Sequence, residues 1–219
     1  MIQSFHFDAV ILADGSFPTN SIPLDVLQHA SCLICCDNAG RECILQGYMP
    51  DAIVGDGDSL SNDFKERYAH LYHHESEQED NDLTKATRFA ISLLQGQGID
   101  NPTIAYLGCT GKREDHTLGN ISLMVRYMQQ MNINPVMLTD YGYFIPASGN
   151  MEFSTFPRQQ VSIFNYGCSR LQSEGLRWQS YNYSSPWQGT LNEALGDTVN
   201  FKADGDYLVY FTYEAKSDI

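Results

Sequence analysis

The stretch that decides the fold is "PDAIVGDGDSL", Pro50 to Leu60. An apolar run of Ala52, Ile53 and Val54 stops at Gly55, and two aspartates follow with one glycine between them. A short run that is apolar on both faces is typical of a strand covered on both sides, as in a parallel sheet. Neighbouring carboxylates repel one another, so such a pair usually shares a cation or a proton. The stretch therefore predicts a buried strand with charge chemistry at its carboxyl end.

Four further runs of the same kind flank this strand: "DAVILAD" at 8–14, "SCLICCD" at 31–37, "PTIAYLG" at 102–108 and "NPVMLTD" at 134–140. Between them, "DLTKATRFAISLLQGQG" at 82–98 and "DHTLGNISLMVRYMQQ" at 115–130 have the spacing of apolar residues that favours amphipathic helices. This alternation predicts a Rossmann-like α/β domain over residues 1–148, with an open, doubly wound, mostly parallel sheet.

The texture changes after about Gly149. Short segments rich in β-branched and aromatic residues follow, such as "QVSIFNYG" at 160–167 and "DYLVYFTYE" at 206–214. They predict a second, small all-β sandwich domain over residues 149–219. Because so small a β domain has a thin core, we expect it to pack on the first domain or on another subunit.

Composition excludes some classes of function. The 219 residues carry 13 basic and 27 acidic side chains, a formal net charge of −14, which argues against a large nucleic-acid footprint. We find neither a basic, apolar leader pattern nor a run approaching the ~20 apolar residues of a membrane span. We therefore expect a cytoplasmic protein with neither nucleic-acid nor membrane partners, and six cysteines that are small buried side chains in a reduced compartment.

Acidic residues collect where strands end or helices begin. Each one has an ordinary explanation, since aspartate is both a turn former and a helix cap. In doubly wound folds, however, these loops converge on one edge of the sheet, where ligands bind. Several carboxylates there suit Mg²⁺, and nearby basic side chains suit a substrate phosphate. The acidic residues are Asp37, Asp56, Asp58, Asp82 and Asp115, and the basic ones are Lys85, Lys112 and Arg113.

Three blocks follow one another along the chain: "CCDNAGRECILQGYMPDAIVGDGDSL" at 35–60, "QEDNDLTKA" at 78–86 and "LGCTGKREDHTLGNI" at 107–121. In this order they resemble the signature blocks of the thiamine pyrophosphokinase family. The tail, with "GTLNEALGDTVNF" at 189–201, resembles the family's thiamine-binding domain. The resemblance implies Mg²⁺-dependent transfer of pyrophosphate from ATP, as co-substrate, to thiamine, giving thiamine diphosphate and AMP. It also implies a homodimer that holds thiamine between the catalytic domain of one subunit and the β domain of the other.

Roles for individual residues follow from the same resemblance. The metal ligands are expected to be Asp56, Asp58 and Asp82, and the proton acceptor Asp82 or Asp115. Nucleotide contacts are expected from Asp37, Ser59, Lys85, Thr110, Gly111, Arg113 and Asp115. Thiamine contacts are expected from Gln78, Asn192 and an aromatic face on the thiazolium, with Trp187 favoured over Trp178.

Three positions depart from the family's pattern. Gly57 stands where many members carry a large residue, Lys112 replaces a second glycine, and Leu191 occupies the place of a serine. Two alternatives therefore stay open: a Mg²⁺-dependent phosphohydrolase or nucleotidyl transferase, and a non-catalytic module that binds nucleotide or thiamine. Release of AMP would distinguish pyrophosphoryl transfer from a phosphohydrolase or nucleotidyl transferase. Catalytic turnover would distinguish it from a module that only binds its ligand.

Overall fold

The computed structural model describes residues 6–77 and 79–217 of the chain. The strands in these ranges belong to a ten-stranded mixed sheet and a three-stranded antiparallel sheet. The chain forms two compact units. The first comprises His6–Ser122 and Asn132–Asp140, and the second comprises Leu123–Met131 and the described residues from Tyr141 onward. No helix in the described ranges is long and apolar enough to cross a membrane.

The first unit alternates strands and helices. The strands are β1 (Ala9–Leu12), β2 (Leu33–Cys36), β3 (Ala52–Gly55), β4 (Tyr72–His74), β5 (Thr103–Leu107) and β6 (Asn134–Leu138). The helices are α1 (Ser21–Gln28), α2 (Asn38–Leu45), α3 (Asn62–Arg67), α4 (Asp82–Gln95) and α5 (Glu114–Met131), the last of which begins in this unit. The five strands predicted from apolar runs are confirmed as β1, β2, β3, β5 and β6, and the short strand β4 lies at the edge of the sheet beside β3.

The order of the strands shows at which edge of this unit a ligand crevice is expected. The order is β6-β5-β1-β2-β3-β4, and each neighbouring pair is parallel. Strands β2 to β4 therefore lie on one side of β1, and β5 and β6 lie on the other. A crevice opens at the carboxyl ends of the strands where the order reverses. The loops after β1, β2, β3 and β5 all meet at that edge.

The second unit is built from antiparallel strands. One layer has the order β11-β9-β13-β7. Its strands are β7 (Gly142–Ser148), β9 (Gln159–Asn165), β11 (Asn192–Glu193) and β13 (Asp206–Ala215). The other layer has the order β10-β12-β8. Its strands are β8 (Met151–Ser154), β10 (Leu171–Glu174) and β12 (Thr198–Ala203). A short 3₁₀ turn covers Pro186–Gly189. Aromatic rings fill the core, with Phe153 centred 5.3 Å from Phe211 and 5.8 Å from Phe201.

The fold class agrees in part with the sequence prediction. The chain has a mixed α/β fold with a large sheet, and that sheet contains antiparallel as well as parallel strand pairs. The finer description, a doubly wound domain followed by a separate β sandwich, is not confirmed. Parallel neighbours need long crossover connections, usually helical. After Tyr141 the described chain contains no α-helix, so its strands pair antiparallel.

All six cysteines lie in the described ranges as free, buried thiols. The prediction that they are small buried side chains is therefore confirmed. Burial raises the pKa of Cys32 to about 11, with a smaller contribution from Asp51. Such a thiol carries little thiolate at neutral pH and is poorly reactive.

The Asp140 side chain fixes the chain just before α1. Its carboxylate accepts hydrogen bonds from the N–H of Thr19 at 2.9 Å, the N–H of Asn20 at 3.0 Å and the Thr19 hydroxyl. Asn20 then caps α1 by accepting the N–H of Ile22 at 2.9 Å. Burial raises the pKa of Asp140, but these hydrogen bonds outweigh burial and hold the pKa below its ordinary value.

We expect Asp140→Ala to lower the free energy of unfolding at pH 7 by about 1–3 kcal/mol, because two backbone N–H groups and the Thr19 hydroxyl lose a charged acceptor. A lowered folded-state pKa gives stability that is present above the unfolded pKa of about 3.9 and is lost as the pH falls. The deficit of the variant should therefore shrink between pH 5 and pH 3. Urea unfolding at both pH values measures it, with the exposed Asp100→Ala as control. A deficit that does not change with pH would contradict this role of the carboxylate.

Candidate functional site

A cavity of about 390 Å³ opens at the carboxyl edge of the parallel strands in the first unit. It is lined by residues from the loops after β1, β2, β3 and β5 and from the beginnings of α4 and α5. Its polar lining residues include Asp14, Asp37, Asn38, Asp58, Ser59, Asn81, Asp82, Thr110, Lys112, Arg113, His116, Thr117 and Asn120. The sequence prediction that acidic and basic loops converge at this edge is confirmed.

Asp37 is the most deeply placed carboxylate. It follows β2 with φ 31° and ψ −112°, a strained backbone for a non-glycine residue that is found most often at functional sites. The Ser59 hydroxyl donates a hydrogen bond to its Oδ2. Its Oδ1 is buried and has no hydrogen-bond partner in residues 6–77 and 79–217. Burial raises the pKa of Asp37 and the charges of nearby aspartates raise it further, although the Ser59 hydrogen bond opposes both.

Asp56 and Asp58 approach Asp37 from the end of β3. One oxygen from each of the three carboxylates lies within 4.8 Å of the other two. Asp56 Oδ1 accepts the N–H of Asp58 at 3.1 Å, so the side chain of Asp56 stabilises its own turn. Three carboxylates at this distance, one with an unsatisfied buried oxygen, fit the oxygen ligands that Mg²⁺ prefers. The group fits a divalent cation as it stands.

The absence of a side chain at Gly55 provides the space that the Asp37 side chain occupies. A Cβ at this position would lie 2.8 Å from the Asp37 Cβ, 3.2 Å from its Cγ and 3.3 Å from its Oδ1. Contacts under 3.0 Å force atoms to shift. The glycine that interrupts the apolar run is therefore required because the Asp37 side chain packs against its Cα.

Asp82 and Lys85 form a pair at the first turn of α4. The Lys85 Nζ donates to Asp82 Oδ1 at 3.2 Å, and the lysine side chain is 3% exposed while that of the aspartate is 40% exposed. Asp82 lines the cavity, whereas Lys85 is not among its lining residues. Asp82 is also outside the cluster of Asp37, Asp56 and Asp58. The Asp82 carboxylate thus lies at the cavity, and the buried Lys85 ammonium, its ion-pair partner, lies outside the lining.

The loop after β1 and the loop after β5 contact each other through their backbones. Gly15 donates its N–H to the Gly108 carbonyl at 2.7 Å, and Ser16 donates to the Thr110 carbonyl at 2.8 Å. Gly111 has φ +96°, and a Cβ there would lie 2.3 Å from the Ser16 Oγ. Thr110 faces the cavity, and Gly111 shapes the loop beside it.

The basic side chains of this loop are already paired with carboxylates. Lys112 Nζ donates to Asp14 Oδ1 at 2.8 Å, and Asn38 Nδ2 donates to the same oxygen at 3.1 Å. Arg113 forms two hydrogen bonds with Asp115, at 3.1 Å and 2.6 Å. This contact with Arg113 holds the pKa of Asp115 below its ordinary value. Arg113 lines the cavity and Asp115 is not among its lining residues.

The residues expected to contact thiamine lie elsewhere in the chain. Gln78 is outside the described residues. In the second unit, Trp187 is 74% exposed and Trp178 is 54% exposed with Arg177 stacked on its ring at 5.3 Å. Asn192 is buried, and its amide accepts the Trp178 N–H at 3.1 Å and donates to the Trp178 carbonyl at 2.6 Å. The Asn192 side chain thus holds the backbone of Trp178.

Sequence reasoning missed several residues of the cavity. Asp14 lies in "ADGS", directly after the first strand, and its carboxylate accepts a hydrogen bond from Lys112. Asn38, Asn81 and Asn120 also line the cavity. Asn120 donates from its Nδ2 to the Cys109 carbonyl at 2.9 Å. The available signal was that Asp14 and Asn38 follow strands, that Asn81 caps the start of α4 and that Asn120 lies in the second turn of α5.

Family models and known proteins agree on one likeness. The family model described as thiamin pyrophosphokinase, catalytic domain, matches residues 24–137, and the one described as its substrate-binding domain matches residues 142–210. The chain is 30% identical to thiamine pyrophosphokinase 1 of rice over 179 residues, 74% of this chain and 65% of that protein. It is 26% identical to the Arabidopsis thaliana protein of the same name over 229 residues, 91% of this chain and 84% of that protein. The crystal structure of thiamine pyrophosphokinase from Bacillus subtilis shares the fold, with a TM-score of 0.73, 18% identity and coverage of 94% of this chain and 99% of that one.

Proposed function

The chain belongs to the thiamin pyrophosphokinase family, and from this premise we propose that it transfers a pyrophosphoryl group from ATP to the hydroxyl of thiamine. The products are thiamine diphosphate and AMP. The observation that carries the proposal is the cluster of Asp37, Asp56 and Asp58 with its unsatisfied buried oxygen. A cluster of three carboxylates beside a cavity with two cationic side chains suits a metal-bound polyphosphate.

We propose that Mg²⁺ binds at this cluster. Asp56 and Asp58 act as ligands as the resemblance implies, Asp37 joins them, and Asp82 faces the same cavity. A bound Mg²⁺ offsets the charge on the phosphate oxygens during transfer. Lys112 and Arg113 have cationic heads in the same cavity, where an incoming phosphate competes with Asp14 and Asp115 for them.

Of the two candidate proton acceptors, geometry favours Asp82. A general base must reach the proton that it removes. Asp82 lines the cavity, whereas the Asp115 carboxylate is held by Arg113, which lowers its pKa. Lys85, buried behind Asp82, keeps that carboxylate in place. We assign Lys85 this supporting role within the proposal, rather than a direct phosphate contact.

The remaining parts of the proposal concern the second unit and the assembly. Gln78, Trp187 and Asn192 contact thiamine or shape its site, Asn192 by holding Trp178. A Rossmann-like catalytic domain, expected over residues 1–148, precedes a thiamine-binding β domain, expected over 149–219. The two family models support this order of domains, although the substrate-binding model already begins at residue 142, at the start of β7. A cytoplasmic homodimer completes the proposal, supported by the free thiols and by exposed apolar side chains of the second unit.

The proposal is tested by incubating purified protein with ATP, Mg²⁺ and thiamine and following AMP and thiamine diphosphate by chromatography. We expect equal amounts of both products. Asp56→Asn should lower the rate by about 100-fold, because a carboxylate ligand of the metal is lost. The exposed Asp63→Asn, seven positions along the chain, is the matched control and should stay near the wild-type rate.

Other outcomes point to the alternatives. Release of ADP or free phosphate without thiamine diphosphate would indicate a phosphohydrolase or another transferase. Retention of nucleotide binding without turnover would indicate a binding module. An Asp56→Asn variant as active as wild type would contradict the carboxylate cluster as the metal site.

A further inference from the structure

The Tyr72 side chain lies against the loop that carries Asp56 and Asp58. Strand β4 pairs in parallel with β3, with Tyr72 opposite Ile53. The Tyr72 hydroxyl donates to the Gly55 carbonyl at 3.1 Å, and the N–H of Glu75 donates to the same oxygen at 2.9 Å. Two donors use both lone pairs of that carbonyl. The end of β3 is therefore fixed immediately before the carboxylate loop begins.

The same hydroxyl also meets the backbone between the two aspartates. Gly57 has φ +73°, and a Cβ there would lie 2.2 Å from the Tyr72 hydroxyl oxygen and 2.9 Å from its Cζ. No side chain fits in that space. The turn continues with the N–H of Leu60 donating to the Gly57 carbonyl at 3.3 Å. The phenol thus contacts the loop at Gly57 as well as at Gly55.

The hydroxyl stays protonated at neutral pH. Burial raises the pKa of Tyr72 to about 12, and the charges of nearby carboxylates, Asp37 foremost, act in the same direction. A protonated phenol keeps the hydrogen that it donates to Gly55 and adds no negative charge beside three carboxylates. His74 Nδ1 lies 3.3 Å from the hydroxyl oxygen, which can accept a hydrogen bond there.

We propose that Tyr72 is a positioning residue for the divalent-cation site: its hydroxyl supports the turn at Gly57 and so holds Asp56 and Asp58 in place against Asp37. This inference rests on the proposed function only in assuming that the carboxylate cluster binds a cation. Partners that orient metal ligands are typically worth 10- to 100-fold in affinity or activity. The hydroxyl acts on the loop backbone rather than on a ligand directly, so we expect the lower end of that range.

The test is titration of the full chain with Mn²⁺, without nucleotide or thiamine, followed by the electron paramagnetic resonance signal of the free ion. Tyr72→Phe removes only the hydroxyl and should raise the Kd for Mn²⁺ by about tenfold. Tyr207→Phe is the matched control, because its hydroxyl donates to the Gly149 carbonyl at 3.2 Å in the second unit. That control should lose stability without a change in Mn²⁺ affinity.

The outcomes separate this inference from the proposed function. Equal Mn²⁺ affinity in Tyr72→Phe and wild type would overturn the positioning role while leaving the metal site intact. A wild-type protein that binds no Mn²⁺ would overturn both. An equal loss in Tyr72→Phe and Tyr207→Phe would show that general destabilisation, not positioning, is the cause.

A double-mutant cycle gives a second measurement. Gly57→Ala should weaken Mn²⁺ binding in the wild-type background because the new Cβ displaces Tyr72 or the loop. In the Tyr72→Ala background the collision is absent and only the strain of the positive φ remains. The two losses should therefore be less than multiplicative. Losses that multiply would show that Tyr72 and Gly57 act independently and would overturn the inference.

Discussion

Gly55→Ala should remove nearly all activity while leaving the chain folded. The added Cβ would lie 2.8 Å from the Cβ of Asp37, and the neighbouring backbone of β3 is held in register with β2 on one side and β4 on the other. The Asp37 side chain is therefore the group that must move. Overpacking of this kind costs about 1–3 kcal/mol of stability. If Asp37 is a metal ligand as proposed, its displacement by even 1 Å should lower the rate by about 100-fold.

Activity, thermal unfolding and Mn²⁺ affinity of Gly55→Ala together test this expectation. Gly96→Ala is the matched control, because Gly96 has helical backbone angles of −61° and −20° at the carboxyl end of α4. It should keep full activity and a normal Mn²⁺ affinity. A Gly55→Ala variant with wild-type activity would show that Asp37 can move without consequence, and the three-carboxylate site would then be wrong.

The location of the site could be predicted from the sequence because parallel strands impose it. Apolar runs that end in Asp, at Asp37 and Asp56, identify the carboxyl ends of β2 and β3, and those ends must lie side by side once the strands pair. The convergence of Asp37, Asp56 and Asp58 follows from strand order and needs no knowledge of side-chain conformation. The interrupted apolar run also drew attention to Gly55. The reason for a glycine there, its contact with the Asp37 side chain, could not be predicted from the sequence.

Pairing among neighbouring charges could not be predicted. Spacing along the chain does not tell whether Arg113 faces a phosphate or Asp115, or that Lys85 is buried behind Asp82. These choices depend on rotamers and on the desolvation of each group, which only the packed structure fixes. Tyr72 was missed for a similar reason, since a three-residue edge strand gives little periodic signal and its role comes from a contact with Gly57. The mixed sheet was missed because the second unit was interpreted as an independent sandwich.

Asp37→Asn should abolish activity and yet make the metal-free protein more stable at neutral pH. The substitution keeps the shape of the side chain but removes a buried charge that faces Asp56 and Asp58 without a cationic partner in the cluster. The pKa of Asp37 is raised in the folded protein, chiefly by burial, so its ionisation opposes folding. That cost is absent below the unfolded pKa of about 3.9 and fully present above the folded pKa. The gain from Asn should therefore grow as the pH rises from 4 to 7.

Thermal unfolding in EDTA at pH 4 and pH 7 measures this gain, and each kcal/mol should raise the Tm by about 2–4 °C. Asp140→Asn is the control of opposite sign, because its carboxylate has a lowered pKa and its loss should destabilise the protein at pH 7. Added Mg²⁺ should stabilise the wild type and leave Asp37→Asn unchanged, since a ligand stabilises only the state that binds it. Lower stability of Asp37→Asn than of wild type in EDTA at pH 7 would mean that the ionised carboxylate is already satisfied without a metal. The cluster would then be a structural feature of the loop rather than a site held ready for a cation.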